Sequence, residues 1–214
     1  MKRLAPLLAI AASVWIGCEK PRPTVPRPVD PATLLAGGTL VFSDTFERPE
    51  IGADWETSSS AWRIVKGQVR VQDARNEGLW LKRPLPRNVR IEFDAVSDSP
   101  DGDLKFEVFA KLPKHEAGYI GILGGWKNSL TVLARLDEHG NDRLERSDRK
   151  VKKGKTHRFA LVRRADATLH WLVDGKSVHR WQDPAPLEGE FFGFNDWSAP
   201  VRFDNLKVFD LGPR

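Results

Sequence analysis

A strict two-residue alternation of apolar and charged side chains most constrains how this chain can fold. In NVRIEFDAV (88–96) the apolar side chains share one parity: Val89, Ile91, Phe93 and Ala95. The charged side chains share the other parity: Arg90, Glu92 and Asp94. The segment DLKFEVFAK (103–111) repeats the pattern. Because successive side chains of a β-strand point to opposite faces, each segment predicts a strand that buries one face against a core.

Short strands separated by turn residues fill the rest of 39–214. TLHWLVDGKSVHRW (168–181) predicts two strands joined at Asp174-Gly175, a pair typical of tight hairpins. Further strands are predicted at 61–66, 68–73, 78–82, 118–124, 129–136, 156–164, 190–194 and 199–209. No segment has the period of a convincing amphipathic helix, so we expect an all-β sandwich of two antiparallel sheets. Its expected core comprises Ile91, Phe93, Phe106, Val108, Phe159, Leu161, Trp171, Val201 and Phe203.

The last predicted strand changes its inward face partway along. Val201 and Phe203 share one parity, whereas Leu206 and Val208 share the other. A change of parity within one strand requires an extra residue, so a β-bulge or sharp twist is predicted near Asn205.

The first 17 residues have the organisation of an export signal. Lys2 and Arg3 give a positive start, and 4–16 is an uncharged, largely apolar run. A membrane-spanning helix needs about 20 apolar residues, so this run is short for one. A positive start followed by a short apolar run and a small residue predicts a secretory signal peptide.

Cys18 is the only cysteine in the sequence and follows Gly17 directly. WIGC (15–18) resembles the lipobox of bacterial lipoproteins, although Trp15 and Ile16 depart from the usual residues. A single thiol in an exported protein cannot form an internal disulfide. We therefore expect lipid attachment at Cys18 and anchoring in the cell envelope, at the outer membrane if the host has two membranes. An ordinary signal peptide with an incidental cysteine is the alternative.

A proline-rich stretch separates this cysteine from the strands. Residues 19–38 contain five prolines, which restrict the chain to extended geometry. The predicted organisation is a signal peptide over 1–17, a lipidated cysteine and tether over 18–38, and one β-sandwich domain over 39–214.

Composition excludes a dedicated nucleic-acid binder. Removing Lys2 and Arg3 with the signal lowers the formal net charge from +5 to +3, which is weakly basic. The partners expected are the membrane, through the lipid anchor, and a glycan, with the protein itself a monomer.

Three segments resemble a known superfamily. They are LVFSDTFERPEIGADWE (40–56), KKGKTHRFALVRRADATLHWLVDGKSV (152–178) and FFGFNDWSAPVRFDNLKVFDL (191–211). In this order they resemble the concanavalin A-like (laminin-G-like) jelly rolls, near the bacterial 3-keto-disaccharide-hydrolase-like domains. The resemblance implies a jelly-roll sandwich. Members include sugar-binding modules, glycoside hydrolases and domains without known activity, so fold alone does not select among them.

The resemblance also implies a position for a structural calcium ion. Acidic residues of the first and last strands hold the ion in several such families, and the matching positions are Asp44, Glu47 and Asp204. Oxygen ligands suit calcium. The alternative is that Asp204 and Asn205 only satisfy turn backbone. No other cofactor is expected.

The segment EFDAVS (92–97) is similar to the ExDxxE strand of laminarinase-type hydrolases. Glu92 and Asp94 match, but Ser97 occupies the position of the final glutamate. Retaining hydrolysis requires two carboxyl groups, so the pattern lacks its proton donor. We therefore expect a domain without catalytic activity. A glycoside or 3-keto-disaccharide hydrolase and a structural envelope lipoprotein without a ligand stay open as alternatives.

Two tryptophans in polar turns suggest a glycan site. Trp126 lies in GGWKN and Trp197 in NDWS, contexts in which a core tryptophan is less expected. Sugars are held by aromatic faces and fixed polar groups. We expect Trp126 and Trp197 to supply the apolar platform, and Arg90, Glu92 and Asp94 to line the adjoining sheet face.

Overall fold

Two antiparallel β-sheets form the protein in a computed structural model that describes residues 25–213. The signal peptide, Cys18 and the first part of the tether lie outside the described residues. In the described part of the chain, no helix is long and apolar enough to cross a membrane.

Fifteen strands and two short helices make up the described chain. The strands are β1 (Thr39–Asp44), β2 (Trp55–Glu56), β3 (Arg63–Val65), β4 (Gln68–Val71), β5 (Leu79–Leu81), β6 (Val89–Ser97), β7 (Leu104–Ala110), β8 (Tyr119–Gly124), β9 (Leu130–Arg135), β10 (Arg143–Arg146), β11 (His157–Arg163), β12 (Thr168–Val173), β13 (Lys176–Gln182), β14 (Phe191–Asn195) and β15 (Val201–Asp210). The helices are α1 (Pro31–Leu35) and α2 (Gly125–Asn128), the second of which is a single turn with left-handed backbone angles.

The sheets have eight and seven strands. The first follows the order β13-β12-β11-β6-β15-β4-β3, and β1 also pairs with β15. The second follows the order β10-β9-β8-β7-β14-β5-β2. All the pairings are antiparallel, which confirms the predicted fold class. The predicted hairpin is also confirmed, because Asp174 and Gly175 join β12 to β13 with positive φ angles of 52° and 70°.

The core lies between the sheets and contains all nine residues predicted from the alternation. Phe93 is at its centre. Its ring centroid lies 4.8 Å from that of Phe159 in its own sheet and 5.2 Å from that of Phe194 in the opposite sheet. Aromatic contacts of this kind bury large apolar areas and stabilise the packing of one sheet on the other.

The predicted bulge in the last strand is confirmed. The register of β15 against β6 shifts between Asp204 and Lys207, and Asn205 has a φ of 54°. The extra residue lets both halves of the strand face the core, since Phe203 and Leu206 are both buried.

The end of the predicted tether docks on the domain as helix α1. The Asp30 carboxylate accepts the Ala32 N–H at 3.1 Å, and Pro31 occupies the first turn, where no N–H donor is needed. Leu34 is buried on the outer face of the eight-stranded sheet, against a cluster of Ala160, Val162 and Leu172. Five residues are too few to show a period and depend on packing, so the sequence pattern did not reveal this helix.

Candidate functional site

A groove of about 720 Å³ opens on the outer face of the seven-stranded sheet. Lys105 and Ile122 lie in it. They neighbour the core residues Phe106 and Leu123 along β7 and β8, so their side chains are on the face away from the core. Trp126 and Trp197 also line it. We call it the tryptophan groove.

A left-handed turn holds Trp126 at the rim of the groove. Trp126, Lys127 and Asn128 have positive φ angles of 50°, 57° and 59°. This conformation costs a non-glycine residue roughly 1–2 kcal/mol. The turn is fixed by Asn128, whose side chain donates to the Val151 carbonyl at 2.8 Å and accepts the Val151 N–H at 2.9 Å. Trp126 is left 36% exposed, and strained backbone of this kind tends to cluster at functional sites.

The second tryptophan is positioned by a backbone clasp between two loops. The Arg75 N–H donates to the Trp197 carbonyl at 3.0 Å, and the Asn76 N–H donates to the Asp196 carbonyl at 2.8 Å. The Arg75 guanidinium lies 4.9 Å from the Trp197 ring centroid. Trp197 is nevertheless 47% exposed, more than a core tryptophan would be.

A buried lysine forms the floor of the groove. Lys105 is only 2% exposed, and its Nζ donates to Asn76 Oδ1 at 2.8 Å. The same Nζ lies 2.8 Å from Glu138 Oε2 and 3.0 Å from Oε1. A buried ammonium needs such partners because removing it from water is costly. The network therefore fixes the positions of the loops that carry Asn76 and Glu138.

Asp103 connects the two tryptophan-bearing segments across this floor. Its carboxylate accepts the Trp197 backbone N–H, and its own N–H donates to the Gly124 carbonyl at 2.9 Å, next to the turn of Trp126. Burial raises the pKa of Asp103, and the negative charge of Glu138 raises it further, while Lys105 acts in the opposite direction.

Asp196 lies behind Trp197 and titrates near neutral pH. Burial raises its pKa to about 7, and the nearby Asp103 contributes in the same direction. Asp196 Oδ2 accepts the Ala74 N–H at 3.1 Å, which favours the charged form but does not outweigh the burial. This carboxyl group thus belongs to the clasp that positions Trp197.

The Asp196→Asn variant is expected to lose part of the pH dependence of stability. The folded pKa of about 7 lies above the ordinary value of 3.8, so between these pH values the folded protein holds a proton that the unfolded chain has released. The free energy of unfolding of the wild type should therefore fall by about 1–2 kcal/mol as the pH rises from about 5.5 to about 8, and the variant should lack this fall. Urea unfolding at both pH values measures it. Equal falls in wild type and variant would show that another group is responsible.

A second polar cluster continues from the groove along β7. Glu107 is fully buried, and its Oε1 accepts from Asn195 Nδ2 and lies 2.7 Å from His115 Nδ1. Sequence reasoning missed Lys105 and Glu107. The available signal was that both residues alternate with the core residues of DLKFEVFAK, as Glu92 and Asp94 alternate with the core residues of β6.

The structure does not bring Arg90, Glu92 and Asp94 together with the tryptophans. These three lie on β6 in the eight-stranded sheet, whereas the groove is on the outer face of the other sheet. The Arg90 Nε donates to Glu92 Oε1 at 2.6 Å, and the Arg90 guanidinium is buried 4.0 Å from the Phe209 ring centroid. Glu92 and Asp94 instead line a separate depression beside α1. The single site expected from the sequence is therefore divided between two faces.

The position of the missing glutamate has a structural role. Ser97 is fully buried, and its Oγ donates to the Gly102 carbonyl at 2.7 Å. It holds the turn between β6 and β7 and offers no proton donor on the face of Glu92 and Asp94.

Two of the three acids implied as calcium ligands, Asp44 and Asp204, are hydrogen-bonded to other side chains. Both carboxylate oxygens of Asp44 accept from Arg48, at 2.6 and 2.8 Å, and Oδ2 also accepts from Trp55 Nε1 at 2.8 Å. Asp204 Oδ2 accepts from Gln68 at 3.1 Å. Within residues 25–213, no group of three or more His, Cys, Asp or Glu side chains could hold a metal. The turn-satisfying alternative agrees with this geometry, since Asp204 Oδ1 accepts the Asn205 N–H at 2.7 Å.

Comparison with solved structures identifies the class of fold. The carbohydrate-binding module CBM66 from Bacillus subtilis superposes with a TM-score of 0.62 and 15% identity, covering 76% of this chain and 100% of that one. Laminarinase from Flavobacterium sp. UMI-01 gives 0.60 and 11%, covering 80% and 100%. The carbohydrate recognition domain of Emp47p gives 0.57 and 14%, covering 80% and 96%.

These structures share a jelly-roll sandwich of the concanavalin A-like class, and the present chain has that fold. No protein-family model matches the sequence, and no curated protein matches it.

Proposed function

We propose that this domain binds a glycan in the tryptophan groove without cleaving it. The observation that carries the proposal is the pairing of two exposed tryptophans with a floor of buried, fixed polar groups. Sugar rings offer apolar faces that stack on aromatic side chains and hydroxyl groups that require hydrogen-bond partners, and this groove offers both.

The preorganisation of the groove supports binding. The Trp126 turn is held by Asn128, and the Trp197 loop is held by the backbone clasp and by Asp103. A rigid platform loses little conformational entropy when a ligand binds. The similar structures include a carbohydrate-binding module and a carbohydrate recognition domain, which agrees with a groove of this kind.

Replacing either tryptophan with alanine is expected to weaken glycan binding by about tenfold or more, since an aromatic anchor in a site contributes about 1.4 kcal/mol or more. A glycan array identifies a ligand for the wild type, and titration calorimetry then measures Trp126→Ala and Trp197→Ala. The control is Leu112→Ala, which removes an exposed apolar side chain elsewhere.

The Glu92→Gln variant separates the two faces of the domain. It should keep wild-type affinity, because Glu92 lies on the other sheet. Unchanged binding in both tryptophan variants, together with a loss in Glu92→Gln, would move the site to the depression beside α1. A wild type that binds no glycan would favour the structural-lipoprotein alternative.

A hydrolase is the second candidate function, because the groove presents two carboxyl groups in different environments. Asp103 has a raised pKa, whereas Glu138 is ion-paired to Lys105. A carboxyl group with a raised pKa can act as a general acid, and a second carboxylate held in place nearby can act as the base or nucleophile. This function would be favoured if the wild type released reducing ends from a bound glycan and the Glu138→Gln variant did not. Binding without release favours the module.

We also propose that a lipid on Cys18 anchors the protein in the cell envelope, at the outer membrane of a host with two membranes. The signal peptide pattern and the Gly17-Cys18 junction support this. Helix α1 packs on the outer face of the eight-stranded sheet, so the tether would reach the domain on the side away from the groove. A tethered domain would thus keep its groove accessible.

The Cys18→Ala variant is expected to lose most of its membrane retention, because more than one acyl chain gives stable anchoring. Fractionation of cells that express wild type and variant measures it, and mass spectrometry of the wild type should show an acylated Cys18. Normal membrane retention of the variant would contradict the proposal.

A further inference from the structure

We propose that the tryptophan groove selects uncharged glycans and excludes polysaccharides that carry carboxylate or sulfate groups. The inference rests on the proposed function and specifies its ligand class.

The buried charges of the groove favour this selection. Asp103 and Glu138 line the floor, and Asp196 lies directly behind it, whereas Lys105 is the cation of the same network. The Lys105 ammonium already contacts Asn76 and Glu138. An anionic sugar that enters the floor would therefore meet carboxyl groups, and the one lysine there is already engaged.

The exposed cations at the rim do not reverse this balance. Arg75 pairs with Asp73 at 3.2 Å, and Arg143 pairs with Glu145 at 2.8 Å. Lys127 is exposed, so water and salt screen its charge. Charges in the floor are screened much less, and repulsion there decides which ligands can enter.

An uncharged glycan suits the same groups. Sugar hydroxyls can donate to the Glu138 carboxylate, and they can donate to or accept from the Asp103 carboxyl group in either of its protonation states. The ring faces would pack on Trp126 and Trp197. A carboxylate or sulfate on the sugar supplies only acceptors, so it would leave the floor oxygens without donors in addition to repelling them.

The test compares polymers that share a backbone but differ in charge. The probes are dextran against carboxymethyl-dextran, hydroxyethylcellulose against carboxymethylcellulose, and methyl-esterified against de-esterified polygalacturonan. Affinity electrophoresis of the full-length protein measures each pair at about pH 8, above the pKa of about 7 of Asp196, so that this carboxyl group is charged. We expect the acidic member of any pair that binds to bind at least about tenfold more weakly, with a gap that changes little as salt is added, because charges in the floor are only weakly screened. Equal or tighter binding of the acidic member would overturn the inference while leaving glycan binding intact.

Two variants connect the selection to the groove. Glu138→Gln removes a buried charge, and Asp101→Asn removes an exposed charge from the rim without risk to the fold. Both should narrow the difference in affinity between neutral and acidic polymers, Glu138→Gln by about threefold or more and Asp101→Asn by less, because water and salt screen the exposed charge. Glu50→Gln, at an exposed position outside the groove, should not change it. An unchanged gap in both groove variants would overturn the inference. Failure of the wild type to bind any polymer, neutral or acidic, would count against glycan binding itself and the inference with it.

Discussion

The Lys105→Met variant is expected to lower the free energy of unfolding by about 3–5 kcal/mol, because it leaves buried carboxyl groups without their cation. Methionine keeps the length and most of the volume of lysine, so the loss measures the charge rather than a cavity. Urea unfolding followed by tryptophan fluorescence gives the value. Lys176→Met, at an exposed turn position, is the control and should change stability by less than about 0.5 kcal/mol.

A double variant identifies the source of the loss. Lys105→Met combined with Glu138→Gln should recover part of the stability, because the uncompensated carboxylate is then removed. The loss should also shrink as the pH falls below about 7, because Asp196, whose pKa is about 7, then takes up a proton and loses its charge. A Lys105→Met variant as stable as the wild type would show that Lys105 does not stabilise the buried carboxyl groups.

The Phe93→Ala variant is expected to cost about 3–5 kcal/mol, because it opens a cavity where the two sheets meet. The Phe93 ring contacts aromatic rings from both sheets: Phe106, Phe159, Phe192, Phe194 and Phe203. The neighbouring strands are paired on both sides of β6, so they cannot collapse fully into the space.

Thermal and urea unfolding both measure this loss, and Phe93→Leu provides a graded comparison that should lie between the alanine variant and the wild type. Leu112→Ala, at an exposed site, should have little effect on stability. A cost for Phe93→Ala as small as that of Leu112→Ala would contradict the position of Phe93 at the centre of the core.

The groove and the fold depend on the same contacts. The Lys105 network joins β7 to the loops of Asn76 and Glu138, and the clasp joins the Asn76 loop to that of Trp197. A substitution in the floor should therefore affect both stability and the placement of the tryptophan platform. Binding measurements on floor variants need a parallel measurement of folding for this reason.

The amino-acid sequence determined the sandwich and its core. Alternation with a period of two is a local property, so it showed which face of β6 and β7 packs in the core between the sheets without knowledge of the partner strands. The change of parity near Asn205 likewise predicted the bulge, because a strand that buries both parities on one side needs an extra residue between its two halves. The polar turns around Trp126 and Trp197 likewise indicated that both side chains would be exposed.

Only the tertiary structure decided which polar residues surround those tryptophans. Asn76, Lys105 and Glu138 are far apart along the chain, and the order of strands in the sheets brings them together. Alternation assigns the side chains of a strand to two faces but does not say which sheet the strand joins. Glu92 on β6 and Lys105 on β7 therefore looked equivalent in the sequence. In the structure they lie on opposite sides of the domain. The docking of α1 was decided in the same way, as were the hydrogen bonds of Asp44 with Trp55 and of Asp204 with Gln68, because burial and pairing depend on contacts between distant segments that no local pattern records.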